Sequence, residues 1–318
     1  MGRSLLLGSV LVLGAAALFG TLGFISRGAS TAGLDTLPFV AWRAAVATVS
    51  LLAGVALLAA RGGPGLPDPR RLTSRQRWAL LGVCLAAALI NLAIFAAFLR
   101  TTIAVALICF YTFPAMVTLA AVRLYGERLD RARLAALLLS SAGLLLVLLA
   151  PVIDTGRLEI DALGVGLALF AAVCQAAFLL LSGRGFRPFG SMDVSLYVVV
   201  GTLVVCLGLM LPLGGLDAFL LPLRQPEPWF WIVAGGLTGA AIPTVALLAG
   251  LGLVGPARTA ILMTFEPVVG VLLAGLLLRE QPAALQLVGG AAVLVAAVVL
   301  QVAPRAPVPS EPEYPHPL

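Results

Sequence analysis

Apolar residues run along this chain in long blocks, separated by short polar clusters rich in arginine, proline and glycine. A bilayer core of about 30 Å needs roughly 20 apolar residues per helix. Ten blocks meet that length: Ser4–Ile25, Leu37–Ala60, Trp78–Leu99, Thr102–Leu124, Leu134–Ile153, Ala162–Leu181, Val194–Leu213, Trp229–Leu251, Pro256–Leu278 and Ala283–Val302. The thinnest divisions fall between spans three and four, where only Arg100–Thr101 intervene, and between spans eight and nine. The first block is longer than a typical signal-peptide core and no convincing cleavage site follows it, so it reads as a span. The pattern predicts an all-α integral membrane protein with ten transmembrane helices.

Composition agrees. Of 318 residues, 61% are hydrophobic and 11% charged, with a mean hydropathy of +1.10. A soluble enzyme and a disordered chain are both excluded. All 20 basic residues are arginine, and the net charge is +6. In so apolar a chain that excess reads as a topology signal before it reads as nucleic-acid binding, and no nucleic-acid partner is expected. With the N-terminus in the cytoplasm, 14 arginines fall on the inside and 5 outside, and Arg43 lies within span two. Both termini are then cytoplasmic. Trp78, Trp229 and Trp231 stand at span ends, where amphipathic rings favour the interface. The Arg70–Arg77 cluster serves topology, with anionic lipid headgroups as the other reading.

Cys84, Cys109, Cys174 and Cys206 each stand alone in apolar runs, and the single histidine, His316, sits in a proline-rich tail. No metal site and no Ser–His–Asp triad is expected in the membrane. A chain without lysine has no Walker A lysine, so it does not hydrolyse ATP by that motif. No cofactor is expected.

Sliding the sequence on itself by 153 residues superimposes Pro114 on Pro267, Glu127 on Glu280 and Asn91 on Thr244. The shift pairs span four with span nine, so each repeat holds five spans. An odd number of spans inverts the second copy, which predicts two inverted five-helix repeats, residues 1–153 and 154–302, followed by a disordered tail, 303–318. Pro114 and Pro267 lie near the middle of their spans. Each lacks an N–H and displaces the carbonyl four residues back, that of Phe110 or Met263. Such carbonyls need partners in protein or in a water-filled cavity, so these prolines mark either packing kinks or the walls of a site.

The strings YTFPAMVTLAAVRLYGERL and FEPVVGVLLAGLLLREQ resemble the paired motifs of the EamA-like family of the drug/metabolite transporter superfamily, and AWRAAVA around Arg43 resembles its arginine-bearing second span. Two positions depart from the pattern: Arg279 replaces the glycine before Glu280, and Phe19–Gly20 stands where Trp–Gly is frequent. The resemblance covers about residues 5–302. It implies a ten-helix transporter, often an exporter of amino acids or other small metabolites. It also implies a central cavity lined by spans one, three, four, six, eight and nine, with spans five and ten to the side.

Candidate substrate-binding residues follow from polarity at depth. Glu266 sits at the centre of span nine. An acid there costs about 2.5–3.5 kcal/mol on insertion scales, so it faces protein or water. It either binds a proton or cationic group, or caps the proline-kinked backbone. Arg43 lies about 9 Å into span two at ~1.5 Å per residue. It snorkels, pairs with an acid such as Glu266, or receives a carboxylate. Asn91, Tyr111, Gln175 and Thr244 add neutral polar groups in spans three, four, six and eight, either as interhelical bonds or as ligand contacts. Phe95, Phe98 and Phe178 are candidate apolar lining. Gly289–Gly290 and the Gly270–Ala274 spacing favour close helix approach.

The leading reading is a secondary transporter of small metabolites, exporting amino acids or related compounds across a bacterial inner membrane by alternating access, with a proton gradient as a candidate energy source. A carrier of lipid- or sugar-linked substrates and a non-transporting scaffold remain as alternatives. An integral membrane enzyme would need more ionisable groups at one depth than Glu266 and Arg43 provide. The expected partners are a small-molecule substrate and lipid, with the chain a monomer or homodimer.

Overall fold

A computed structural model of the chain describes residues 3–125, 130–156, 160–183, 185–186, 188–210, 216–278 and 283–302. Span one is α1 (Arg3–Gly20) and α2 (Leu22–Thr31); spans two and three are α3 (Thr36–Ala60) and α4 (Ser74–Phe98). Span four is α5 (Ile103–Phe110) and α6 (Phe113–Tyr125), and span five is α7 (Arg131–Thr155). Spans six and seven are α8 (Ala162–Gly183) and α9 (Ser191–Met210), followed by a short surface helix, α10 (Leu216–Arg224). Span eight is α11 (Trp229–Gly236), one π turn (Leu237–Ala241) and α12 (Ile242–Val254). Span nine is α13 (Pro256–Leu262) and α14 (Phe265–Leu278), and span ten is α15 (Ala284–Val302). Among the described residues, nine helical segments are long and apolar enough to cross a bilayer, and Ala284–Leu300 is a shorter apolar helix.

The thin divisions have clear causes. Between α4 and α5 the chain turns at Leu99–Thr102, where Arg100 and Thr101 N–H groups both return to the Ala97 carbonyl. Between α12 and α13 the turn is a single residue, Gly255, at φ +82°. Only glycine takes that conformation readily, and Pro256 then opens the next helix with its fixed φ.

The packing follows the repeat. Span one lies on span eight (α1 on α12), and span six lies on span three (α8 on α4). Span one also lies on α14, and span six on α6. Spans five and ten pack on each other at the side: a Cβ added at Gly143 would fall 2.6 Å from the Gly289 carbonyl oxygen, so the two backbones touch. Spans two and seven run antiparallel along the boundary between the halves. Ala47 and Leu51 meet Leu196 and Val199, and Val40 and Ala41 meet Cys206 and Met210. The fold is an all-α membrane protein of two inverted five-helix repeats.

The repeats differ in one place. All seven residues of α13 are buried, whereas in α5, its equivalent, only Ala106 is. On the face that carries the N-terminus, α13 packs on α1, α6, α7, α8 and α12. On the opposite face α5 packs on α4, α7 and α8, and Ile103, the counterpart of buried Pro256, is 58% exposed. The start of span nine is therefore enclosed by both halves at the N-terminal face, whereas the start of span four is less enclosed at the other.

Candidate functional site

Span four and span nine break at mid-depth, at Tyr111–Thr112 and at Met263–Thr264. Each break lies just ahead of its proline, Pro114 or Pro267, and each is bridged by a threonine. The Thr112 hydroxyl donates to the Cys109 carbonyl at 2.7 Å, and the Thr264 hydroxyl to the Ile261 carbonyl at 2.7 Å. One turn on, the Thr118 hydroxyl donates to the Pro114 carbonyl at 2.7 Å. The Met263 carbonyl, expected to be displaced by Pro267, accepts the Glu266 N–H at 3.1 Å, so the kink is satisfied by a tightened turn.

At these breaks the two halves meet. Tyr111, buried at the first, shares a side-chain hydrogen bond with Glu266, in the first turn of α14. The rings of Phe110 and Phe113 pack on Tyr111 with centroids 5.2 and 5.7 Å away. Span one completes this side: a Cβ at Gly20 would lie 2.7 Å from the Glu266 carbonyl oxygen and 2.9 Å from Val269 Cβ. The chain therefore comes as close to span nine at Gly20 as a residue without a side chain allows. Immediately after it span one also breaks, with the Thr21 hydroxyl donating to the Leu18 carbonyl at 2.7 Å and facing Thr238 Oγ1 at 3.4 Å.

Arg43 is buried on α3, and its Nη2 donates to Asn91 Oδ1 on α4 at 2.6 Å. Asn91 Nδ2 donates to the Ala87 carbonyl at 2.8 Å, which fixes the amide with its oxygen toward the guanidinium. Among the described residues no ion pair joins Arg43 to Glu266, so of the pairings open to Arg43 the structure contains neither that one nor a snorkelled, exposed side chain. Gln175 is buried on α8, and Thr244 is buried at the start of α12, directly after the π turn and Pro243. Phe178 belongs to the packed core, while Phe95 and Phe98 are half-buried and pack edge to face, 5.9 Å apart.

The structure thus brings Tyr111 together with Glu266, and Arg43 together with Asn91, as two separate polar pairs. Gly20, Thr21 and Thr264 were missed by polarity alone. The one signal for Gly20 was its place in the Phe19–Gly20 dipeptide. Arg258, one of the 14 arginines counted toward the inside, is buried inside α13 at 3% exposure. Its short apolar surroundings hid it at a helix boundary. Gly126, Glu127, Arg279, Glu280 and the tail 303–318 lie outside the described residues.

No curated protein matches the sequence. A solved crystal structure shares the fold: it covers 92% of this chain and 95% of its own, with a TM-score of 0.74 at 19% identity. The model of the EamA-like transporter family matches residues 6–149 and again 162–302. Two matched copies spanning most of the sequence establish that the chain is an integral membrane protein belonging to the EamA-like transporter family, within the drug/metabolite transporter superfamily.

Proposed function

We propose that this transporter is a secondary carrier that exports small metabolites, amino acids or related compounds, across a bacterial inner membrane by alternating access. The observation that carries the reading is the separation of two interior charges. Arg43 is held by a neutral amide, Asn91, and Glu266 by a neutral phenol, Tyr111. Opposite charges in a low-dielectric interior gain by pairing with each other. Two that are kept apart offer a small zwitterion one pole for its carboxylate and one for its ammonium group. Half-buried Phe95 and Phe98 supply apolar surface beside Asn91, on the same helix.

In this reading Asn91, Tyr111, Gln175, Thr244, Glu266 and Arg43 contact substrate, and Pro114 and Pro267 keep the two mid-span breaks open. Residues 1–153 and 154–302 are the rocking halves, with 303–318 a cytoplasmic tail. The 14-to-5 arginine bias puts both termini in the cytoplasm. The bundle, more enclosed on its N-terminal face, is then caught open to the outside. Glu266 is the candidate carrier of a coupled proton.

Purified protein in proteoliposomes, assayed for uptake and efflux of amino acids with and without an imposed pH gradient, tests the reading. Counterflow of a zwitterionic amino acid, lost on Glu266→Gln or Arg43→Gln, is the expected result. Transport of organic cations alone, or of lipid-linked sugars alone, would overturn it.

A further inference from the structure

Two aromatic side chains cross the boundary between the halves, one at each face. Trp42, near the start of α3 in the first half, donates its Nε1–H to the Phe219 carbonyl at 2.7 Å and stacks on the Phe219 ring, with centroids 4.8 Å apart and planes 12° off parallel. Phe219 is on α10, in the connection between spans seven and eight of the second half. Tyr197, near the start of α9 in the second half, donates its hydroxyl to the Pro67 carbonyl at 2.6 Å. Pro67 is in the connection between spans two and three of the first half. Trp42 and Tyr197 are 155 positions apart, and Pro67 and Phe219 are 152 apart, both close to the repeat shift. The two contacts are images of each other under the internal two-fold relation, although the side chains and loops that make them differ.

A second pair of contacts obeys the same relation. A Cβ at Gly236 would lie 2.6 Å from Val46 Cβ, and one at Gly201 would lie 2.8 Å from Cys84 Cβ. Val46 and Gly201 are again 155 positions apart, and Cys84 and Gly236 again 152. Spans two, three, seven and eight therefore meet symmetrically, with both faces made at once. Spans four and nine do not, because α13 is buried along its whole length and α5 is not. In an inverted repeat the alternate state exchanges the conformations of the two halves. A contact made by only one half is broken and remade by that exchange. A contact made by both halves at once survives it.

We propose that the Trp42–Phe219 and Tyr197–Pro67 straps, with the seam of α3 and α9 between them, form the pivot of the molecule, and that the contact of α13 with α8, made inside the second half, is a gate that opens when the halves exchange conformations. The proposal rests on the transport reading but names a part of the chain that touches no substrate. Each strap holds the connecting loop of one half to the first turns of a helix in the other. The second half then opens at α13 as the first closes at α5, and the two halves separate at neither face of the seam.

The test uses a full-length background in which Cys84, Cys109, Cys174 and Cys206 are replaced. A Cβ at Gly183 falls 3.7 Å from Pro256 Cβ, within the range of a disulfide, so Gly183→Cys with Pro256→Cys is oxidised to lock the gate. Pro67→Cys with Tyr197→Cys is bridged by a flexible bis-thiosulfonate linker to lock the strap. Turnover falls at least tenfold in the first and recovers on reduction, and it stays within twofold in the second. Loss of turnover in the strap-linked protein as complete as in the gate-locked one would overturn the pivot. If the unmodified protein carries no substrate, the transport reading fails instead, and paired spin labels then decide. Labels at Leu66 and Pro188, beside the Tyr197–Pro67 strap, give one narrow distance. Labels at Gly23 and Ile103, across the open face, give a broad or split distribution. A split distribution at the strap overturns the proposal.

Discussion

The Tyr111 hydroxyl and the Glu266 carboxyl share a hydrogen bond across the boundary between the two repeats, at the depth where span four and span nine both break. Under the repeat shift Glu266 falls on Phe113 and Tyr111 on Thr264, so the bond has no twin. The chain has kept the two broken helices in both halves and installed the acid in only one.

Two substitutions separate the roles of this pair. Tyr111→Phe removes the donor and leaves a half-buried carboxyl without its phenol, a change worth about 1–2 kcal/mol. The half-saturating substrate concentration is expected to rise about 5- to 30-fold, while transport still responds to a pH gradient. Glu266→Gln keeps a hydrogen-bonding side chain but cannot take up or release the proton. Its transport should become indifferent to the gradient. Parallel flux measurements in proteoliposomes at two imposed gradients read both effects, and a gradient response that survives Glu266→Gln would remove the acid from the coupling.

Arg43 and Asn91 predict a different signature. The guanidinium forks toward one carboxylate with two parallel N–H groups, and an ammonium does not. Arg43→Lys should raise the half-saturating concentration of a free amino acid about tenfold, a loss of ~1.4 kcal/mol. It should leave competition by the methyl ester of the same amino acid nearly unchanged. Competition assays with the acid and its ester read the difference. Equal losses for both would mean that Arg43 holds α3 to α4 and never meets the carboxylate.

How far the sequence could reach is visible in these residues. Spans were legible because a bilayer accepts only one kind of segment of that length and polarity. The repeat was legible because proline and glutamate are scarce enough within apolar runs for Pro114 and Pro267 to stand out. Partnerships were not legible. Nothing in the order of residues shows that Arg43 turns to Asn91, 48 positions away, and not to Glu266. Which helix face meets which neighbour is decided by packing, and a helix that is apolar all round carries no stripe to announce it. The burial of Arg258 was not legible for the same reason: nothing in its neighbours shows that packing encloses an arginine at a span end.

The helix breaks predict a stability effect that is independent of substrate. Thr112 and Thr264 each donate a hydroxyl to a carbonyl at the interrupted turn, beside the N–H of the same residue. Replacing either with valine keeps the shape and removes the donor, at a cost of about 1 kcal/mol, with the double replacement close to the sum because the breaks lie in different halves. Thermal unfolding in detergent, followed by retention on size exclusion, should show two comparable downward shifts. Unchanged melting in both variants would mean that the backbone N–H groups already satisfy those carbonyls.

Spans five and ten predict the opposite separation, stability without function. Their backbones meet at Gly143 and Gly289. A Cβ at Gly143 would stand 2.6 Å from the Gly289 carbonyl oxygen and 2.9 Å from Ala292 Cβ. Backbone cannot swing aside as a side-chain end can, so Gly143→Val must push the two helices apart, at about 1–3 kcal/mol. The two glycines meet each other and not Arg43, Asn91, Tyr111 or Glu266, although a Cβ at the adjacent Gly290 would lie 3.2 Å from Val268, two positions from Glu266. The variant should therefore melt at a lower temperature, while each molecule that remains folded turns over at a rate within about twofold of the parent, as read by flux normalised to monodisperse protein. A variant that melts normally but no longer transports would show that α7 and α15 take part in the rocking motion and are not a lateral support.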